Sequence, residues 1–315
     1  MDFRTEIKIP EAKVGISYQD NILLFGSCFT ENIGKKLSEN KFQTDINPFG
    51  ILYNPYSIEN SIRTLLEKKF TTESDLFFHH GVWNSFAHHG SFSDISKEVC
   101  LQKINERINY SSDTLKNAKH LIITFGTAWI YELKETNNVV ANCHKLPEKT
   151  FNRRCLSIEE IVETYIILIH SIKLFNPAIN IIFTVSPVRH WKDGAHENQL
   201  SKSILLLAID KLQQMFPELN YFPAYEIMMD ELRDYRFYNE DMLHPNNLAI
   251  NYIWEKFSET YFSAETIHIQ REIAEISKAE AHKPFNPDTK EHQAFLKKLE
   301  EKKETLRSKY PYFNP

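Results

Sequence analysis

The feature that most constrains the fold is a short apolar run closed by a glycine, which occurs twice, at residues 21–26 and 119–126. Consecutive apolar residues over so short a stretch are typical of a strand buried on both faces, as in a parallel sheet. A third run, residues 179–185, is rich in β-branched side chains and ends at a Ser-Pro pair. The sequence therefore predicts a buried, parallel sheet.

Predicted helices alternate with these strands. Thr30 is the expected cap of the first helix, further helices are expected over residues 57–68, 100–117, 157–175, 198–216 and 248–262, and short strands over 42–46 and 220–222. Residues 79–93 and 129–151 are expected to be loops, the second with a small hairpin. Strands joined by helices imply right-handed crossovers and a sheet covered on both faces. The predicted fold class is a three-layer α/β/α sandwich with a mostly parallel, flavodoxin-like sheet.

Charge and composition exclude several classes of partner. The net charge of −5 offers no basic face for a nucleic-acid backbone. The apolar runs are far shorter than the roughly 18 residues that a membrane-spanning helix needs, and the first residues resemble no signal peptide. The cysteines have no metal-site spacing and are too few for a disulfide scaffold; they are Cys28, Cys100, Cys143 and Cys155. We expect a cytoplasmic protein with free thiols and no membrane span.

The character of the chain changes after about residue 264. Residues 271–280 and 290–307 are charged helical stretches separated by prolines. We expect residues 1–263 to form the α/β domain and residues 264–315 a helical C-terminal extension. The extension either packs on the domain, or on a partner or second copy, or forms a solvated surface helix pair.

Three polar segments are expected to meet at one edge of the sheet, because ligands bind beyond the carboxyl ends of parallel strands. They are residues 26–30, 126–129 and 241–246. Acyl transfer needs a nucleophile, a base within hydrogen-bonding reach and an acid that orients the base. His244 and Asp241, three positions apart in one short turn, can supply the base and the orienting acid.

The first and last of these segments carry a family resemblance. Residues 25–30, Phe-Gly-Ser-Cys-Phe-Thr, resemble the first block of the SGNH/GDSL hydrolases, and residues 241–246, Asp-Met-Leu-His-Pro-Asn, resemble their last block. Residues 26–29 match the motif that gives the GSCFA family its name, and residues 186–190 and 234–238 also resemble that family. The resemblance implies an esterase or acyltransferase that forms a covalent acyl-enzyme on a small-molecule or carbohydrate acyl ester.

Two residues compete for the role of nucleophile. Where the superfamily has Gly-Asp-Ser, this sequence has Gly26, Ser27 and Cys28, so that Cys28 stands in the register of the nucleophile. A thiol just ahead of a helix N-terminus is expected to be favoured as thiolate. Ser27 is the alternative nucleophile. A third reading makes both residues a small buried pair beneath the helix.

The donors for an oxyanion are less defined. In the SGNH/GDSL hydrolases the third conserved block usually supplies an asparagine, but the corresponding residues here are Gly126-Thr-Ala-Trp and include no asparagine. An oxyanion hole needs about two preorganised donors. The backbone amides of Cys28 and Gly50 are candidates, and Asn142 or His144 can supply a side-chain donor. The alternative is that Asn142 and His144 only tie their own loop together.

Arg189 and His190 follow a predicted strand and belong to the same edge. Arg189 can hold a substrate carboxylate or phosphate with two hydrogen bonds. The alternative is an ion pair with Asp193 or Asp234. Both residues are therefore candidates for substrate binding.

Four histidines at positions 79, 80, 88 and 89 are a possible zinc site, but no acid or cysteine is spaced to complete it. We expect this segment to form a lid or wall of the substrate pocket, with neither metal nor cofactor required. A second function class stays open: an SGNH-like fold that has lost catalysis and serves as a binding module or scaffold.

Overall fold

A computed structural model describes residues 5–280, 285–286 and 289–310. The strands are β1 (Asn21–Gly26), β2 (Gln43–Ile46), β3 (Leu76–His79), β4 (Val82–Ser85), β5 (His120–Phe125), β6 (Trp129–Leu133), β7 (Val139–Val140), β8 (Phe151–Cys155), β9 (Asn180–Val185) and β10 (Asn220–Phe222). The helices are α1 (Cys28–Glu39), α2 (Pro55–Glu67), α3 (Lys97–Asn117), α4 (Ile158–Phe175), α5 (Gly194–Met215), α6 (Ala224–Glu226), α7 (Asn247–Tyr261), α8 (Ala264–Glu280) and α9 (Lys290–Lys309).

The central sheet has five strands in the order β10-β9-β5-β1-β2, and every neighbouring pair is parallel. Counted along the chain, this is the order 2-1-3-4-5 of flavodoxin-like folds. The order reverses between β1 and β5, so the crevice for a ligand lies at their carboxyl ends. The predicted fold class is confirmed.

Alternate residues of each strand point to opposite faces of the sheet and belong to two separate hydrophobic cores. Leu23, Phe25 and the matching residues of β5 and β9 pack against α2, α3, α4 and α5. Ile22, Leu24 and their counterparts pack against α1 and α7 on the other face. Each fully buried large apolar side chain contributes about 1.5–3 kcal/mol. This double coverage explains why the strands read as continuous apolar runs.

Helix α1 begins three residues earlier than the sequence indicates. Ser27, not Thr30, is the N-cap: its backbone is extended and its Oγ accepts a hydrogen bond from the amide of Phe29. Thr30 is buried inside the first turn, where its hydroxyl donates to the Phe25 carbonyl at 3.5 Å. Ser27 is therefore the single residue between β1 and α1, and Cys28 is the first helical residue.

Two insertions form small antiparallel sheets where loops were expected. Strands β3 and β4 pair through a turn at His80 and Gly81, which both have positive φ, and this geometry suits a tight hairpin. The expectation of an irregular segment from residue 79 was wrong because cross-strand aromatic pairing stabilises the hairpin. Residues 129–155 form a three-stranded sheet, β7-β6-β8, of which only a small hairpin was expected.

The C-terminal helices pack on the α1 and α7 face. Helix α8 buries Ile269, Ile273 and Ile276 in that core, and α9 contributes Leu299 and Leu306. This contact favours packing on the domain over a solvated helix pair, while the domain division at residue 263 stays a prediction. In the part of the chain that the structure describes, no helix has the length and apolar character to cross a bilayer.

Candidate active site

The turn after β1 presents two candidate nucleophiles at the carboxyl edge of the sheet. Gly26 has φ +148°, and a Cβ there would collide with the backbone carbonyl of Thr124. Its amide donates to the side chain of Asn47 at 2.9 Å. Only glycine fits both this φ and the close approach to the Thr124 carbonyl, so Gly26 sets where the following residues lie.

Ser27 and Cys28 have different surroundings. The Ser27 side chain is 1% exposed, and its hydroxyl caps α1 by accepting from the Phe29 amide at 3.3 Å. Cys28 is partly exposed and carries a free thiol. Because the serine hydroxyl is buried and already used by the helix, this arrangement favours Cys28 as the nucleophile.

The Cys28 thiol is not a preformed thiolate. Burial raises its pKa, and the carboxylate of Glu31 adds to that rise. The backbone amides of Phe29 and Cys28 and the charge of Lys202 lower the pKa, but by less than burial raises it. The expectation of a thiolate at the helix N-terminus was therefore wrong, because burial raises the pKa by more than the helix amides lower it. The amides themselves act in the expected direction.

His244 and Asp241 form a pair within one turn. The ring Nδ1 of His244 donates to Oδ2 of Asp241 at 2.5 Å. The other carboxylate oxygen accepts from the backbone amides of Leu243 and His244, each at 2.9 Å. Those two amides, and then the His244 ring, lower the pKa of Asp241 to about 2. The carboxylate stays ionised and holds the tautomer in which His244 Nε2 can accept a proton.

The electrostatic influence of neighbouring groups relates this pair to Cys28 only indirectly. Cys28 interacts with Tyr53 and Lys202, and His190 interacts with both Lys202 and His244. The rings of Tyr53 and His190 meet edge to face with centroids 5.2 Å apart. Among the described residues there is no hydrogen bond between the Cys28 thiol and His244. The catalytic roles of Cys28, His244 and Asp241 remain predictions.

Two backbone amides at the candidate site are already engaged: that of Gly50, an expected oxyanion donor, and that of Gly126, an expected oxyanion- or substrate-binding residue. The amide of Gly50 donates to the Asn47 carbonyl at 2.7 Å, and His89 packs directly on its Cα. The amide of Gly126 donates to the Tyr53 carbonyl at 2.8 Å. Neither amide can donate to an oxyanion while these two hydrogen bonds are formed.

Asn142 and His144 tie the two insertions together. The side-chain oxygen of Asn142 accepts from the His144 amide at 2.8 Å, and the His144 ring bonds the Ser85 carbonyl at 2.8 Å. The His144 ring also lies against Phe77 and Phe86 of the hairpin. These contacts correspond to the structural alternative, and they do not bring either side chain to Cys28.

His190 stands beside the glycine of the third block. Its Nε2 is 3.5 Å from the point that a Cβ on Gly126 would occupy, and its amide donates to Asn198 at 2.9 Å. Burial lowers the pKa of His190 to about 4. The imidazole is therefore neutral near pH 7 and carries one N–H that can donate.

Arg189 forms neither of the ion pairs considered from the sequence. Asp193 pairs with Arg153 at 2.5 Å, and Asp234 lies 3.5 Å from Arg236. The guanidinium of Arg189 instead contacts the sulfur of Met229 at 3.2 Å.

The histidine segment packs on the turn that contains Phe49 and Gly50, and its role as a lid or wall of the substrate pocket stays a prediction. His88 is buried and stacks on Phe49 with centroids 4.6 Å apart, and burial lowers its pKa to about 3. His89 covers Gly50. Within the described residues, no group of three or more His, Cys, Asp or Glu side chains could hold a metal ion.

A cavity of about 830 Å³ lies between α2 and the two insertions. Its walls include Tyr56, Phe70, Phe77, Phe86 and Val139. Cys28, Asp241 and His244 do not line it, so it is separate from the candidate catalytic edge.

Comparison with known proteins decides the family. The sequence model of the GSCFA family matches residues 21–257, a range that contains every candidate site residue. The chain belongs to the GSCFA family. A second sequence model, described as the C-terminal domain of GSCFA domain proteins, matches residues 273–314, which include α9. No curated protein matches this GSCFA chain in sequence.

Several solved structures have a backbone that follows a course similar to that of this GSCFA chain. A Clostridium thermocellum family 3 carbohydrate esterase is 12% identical, with TM-score 0.35, over 81% of this chain and 98% of that one. An acetyl esterase with acetate ion is 8% identical, with TM-score 0.37, over 81% and 99%. An acetyl xylan esterase from the rumen bacterium Butyrivibrio proteoclasticus is 10% identical, with TM-score 0.38, over 78% and 63%. These names describe those proteins alone.

Sequence reasoning missed Lys202, which lies beneath the candidate site of this GSCFA chain. Lys202 of α5 is completely buried, and its Nζ donates to the carbonyls of Gly126 at 2.6 Å and Ser186 at 2.7 Å. Burial lowers its pKa to about 7. The available signal was its place on the buried stripe of α5 with Asn198 and Leu205, where a lysine is unusual.

Proposed function

We propose that this GSCFA chain is an acyl hydrolase or acyltransferase that acts on an ester or thioester through an acyl-Cys28 intermediate. The observation that carries the proposal is one arrangement. A partly exposed thiol begins the helix after β1, and the same sheet edge carries a histidine held by a carboxylate. This is the nucleophile, base and orienting acid that acyl transfer requires.

In the proposed reaction, the Cys28 sulfur attacks the carbonyl carbon as His244 Nε2 takes the thiol proton. The tetrahedral intermediate collapses, the bond to the alcohol oxygen breaks, and His244 returns the proton to that oxygen. Water, or a second alcohol in a transferase, then attacks the thioester with His244 again as base. Product acid or ester leaves, and Cys28 recovers its proton. Asp241 orients His244 and stabilises its charged form throughout.

The oxyanion is proposed to lie between the Cys28 amide and the His190 ring. His190 is favoured as the side-chain donor because it is neutral, stands at Gly126 and makes no ring hydrogen bond with the described residues. It would fill the role of the asparagine that the third block lacks. The amide of Gly50 joins only if the turn at Asn47 opens.

The substrate class is proposed as a small-molecule or carbohydrate acyl ester, and the location as cytoplasmic. The location rests on the four free thiols. Neither proposal requires a metal or a cofactor.

A catalytically inactive binding module is the second candidate. The engaged amides of Gly50 and Gly126 and the raised pKa of Cys28 favour it. Under this reading the sheet edge holds a ligand without forming a covalent bond.

Intact-mass spectrometry after rapid mixing with p-nitrophenyl acetate separates the two. The proposal expects an acetyl adduct on Cys28, found by peptide mapping, that Cys28→Ala lacks and Ser27→Ala retains. It expects His244→Ala to slow adduct formation. An acetyl adduct on Ser27 would identify the serine as the nucleophile. If neither residue carries an adduct, the binding module would be the supported function.

A further inference from the structure

Arg189 forms no ion pair with an acidic side chain among the residues that the structure describes. Its Nε is buried and has no hydrogen-bond partner. The one hydrogen bond of its guanidinium, among the described residues, goes to the weakly accepting sulfur of Met229. Arg189 as a residue is only partly buried, but a buried N–H without a partner loses its hydration, so an acceptor from a ligand would stabilise it.

The surroundings of Arg189 place it beside the catalytic turn. Its charge acts on Tyr225, on Tyr238 and on Lys202. The backbone of Tyr238 pairs with Pro245, the residue next to His244, and Lys202 interacts with Cys28. Arg189 follows β9 at the carboxyl edge of the sheet and precedes His190, whose Nε2 is 3.5 Å from the point that a Cβ on Gly126 would occupy.

We propose that the substrate carries a carboxylate, which the guanidinium of Arg189 binds with two parallel hydrogen bonds while the ester lies at Cys28. This inference rests on the proposed function, and it names the chemistry of that site's substrate. A planar carboxylate matches the planar guanidinium fork and supplies the acceptors that the protein leaves out.

A carboxylate fits this site better than a phosphate. Two hydrogen bonds of Lys202 are committed to the Gly126 and Ser186 carbonyls, so this buried lysine is not free to turn toward a ligand. The guanidinium of Arg189 is available instead, and its single charge balances one carboxylate. A phosphate dianion would leave one of its two negative charges unbalanced by Arg189.

The test compares two acetyl esters that differ in charge, 4-acetoxybenzoate and 4-acetoxybenzamide. Wild type should prefer the benzoate by about 10-fold or more in kcat/KM, as expected for a bidentate charged pair. In Arg189→Gln the ratio should fall to about 1, whatever happens to the absolute rates. Arg233→Gln is the matched control, because Arg233 is exposed and pairs with Asp230.

A binding measurement keeps the inference testable without turnover. Benzoate, but not benzamide, should raise the melting temperature of wild type and of Arg233→Gln, and should leave Arg189→Gln unchanged. Equal effects of benzoate on wild type and Arg189→Gln would overturn the inference. A larger effect of phenylphosphonate than of benzoate would also overturn it, in favour of a phosphate. Absence of acetyl-Cys28 with benzoate binding retained would reject only the proposed function.

Discussion

Cys28 is a neutral thiol at rest, which distinguishes it from cysteines that are held as thiolates by a neighbouring histidine. Burial raises its pKa above its ordinary value. The iodoacetamide reaction of Cys28 should therefore speed up with pH and show its inflection above about 8.5, the usual thiol value. Peptide mapping of quenched time points measures this at single-residue resolution. An inflection near pH 6 or 7 would indicate a resting thiolate and contradict the structure.

His244 should matter for turnover far more than for the resting thiol. We expect His244→Ala to lower kcat/KM for p-nitrophenyl acetate by about 10³-fold or more. The iodoacetamide profile of Cys28 should stay the same, since no hydrogen bond joins the two residues in the described structure. His268→Ala is the matched control, because His268 also pairs with an acid, Glu272, but lies on α8. Equal activity of both variants would remove His244 from the mechanism.

The site residues that the sequence predicted each belong to a short local motif. Asp241 and His244 sit in one turn, and Cys28 directly follows a recognisable strand. Lys202 and Tyr53 were missed because each reaches the site from a different element. No local pattern links them to Cys28.

At the scale of elements, the turn from β1 into α1 depends on Gly26. Gly26→Ala should cost more than about 2 kcal/mol of unfolding free energy, because a methyl group meets the Thr124 carbonyl at a positive φ. Gly81→Ala is the matched control: its φ is +79°, but nothing lies within 4 Å, so its loss should be about 1 kcal/mol. Urea unfolding measures both. Equal losses would mean that backbone strain alone, and not the Thr124 contact, decides the cost.

Lys202 joins the ends of β5 and β9, and its low pKa predicts a pH-dependent stability. Its folded-state pKa is about 7, against about 10.4 for an unfolded lysine. Between those values the unfolded chain binds the extra proton, so stability rises with pH across this window. Below pH 7 both states are protonated and the full penalty is present.

The rise should amount to a few kcal/mol at most between about pH 7 and pH 10. Urea midpoints at pH 7 and pH 9.5 measure it in wild type. Lys202→Met should lose this rise, whereas Lys211→Met, on the exposed face of α5 and paired with Glu159, should keep it. The same change in stability with pH in wild type and in Lys202→Met would contradict the lowered pKa.

Element positions were predictable wherever hydrophobic periodicity decides them. The five strands of the central sheet and the main helices follow from apolar runs and stripes. The hairpin β3–β4 was not predictable in this way, because its turn uses a positive φ at His80, a residue without a strong turn signal. The start of α1 was misplaced because both Ser27 and Thr30 are good caps.

At the scale of the whole molecule, the C-terminal helices are part of one core. Ile273 of α8 is 2% exposed, and Ile273→Ala should cost about 2–4 kcal/mol of unfolding free energy. Lys278→Ala, at an exposed position of the same helix, should be nearly neutral. Thermal unfolding of the full chain measures both. A neutral Ile273→Ala would show that α8 does not hold this position in solution.

The fold class followed from the alternation of strands and helices, whereas the packing of the tail did not. Its charged sequence suits a solvated pair, a partner interface or a docked hairpin equally well. Only the positions of Ile269 and Ile276 against the α1 and α7 face distinguish these. Pairings between residues so distant in the chain leave no mark in local sequence.

The two insertions are hydrogen-bonded to each other. The amide of Ala141 donates to the Phe86 carbonyl at 2.8 Å, and His144 bonds Ser85. Cys28 and His244 belong to neither insertion. The two insertions can therefore change in length and shape over evolutionary time while the central sheet keeps the positions of Cys28 and His244. Divergence among relatives should concentrate in these insertions and in the cavity that they line.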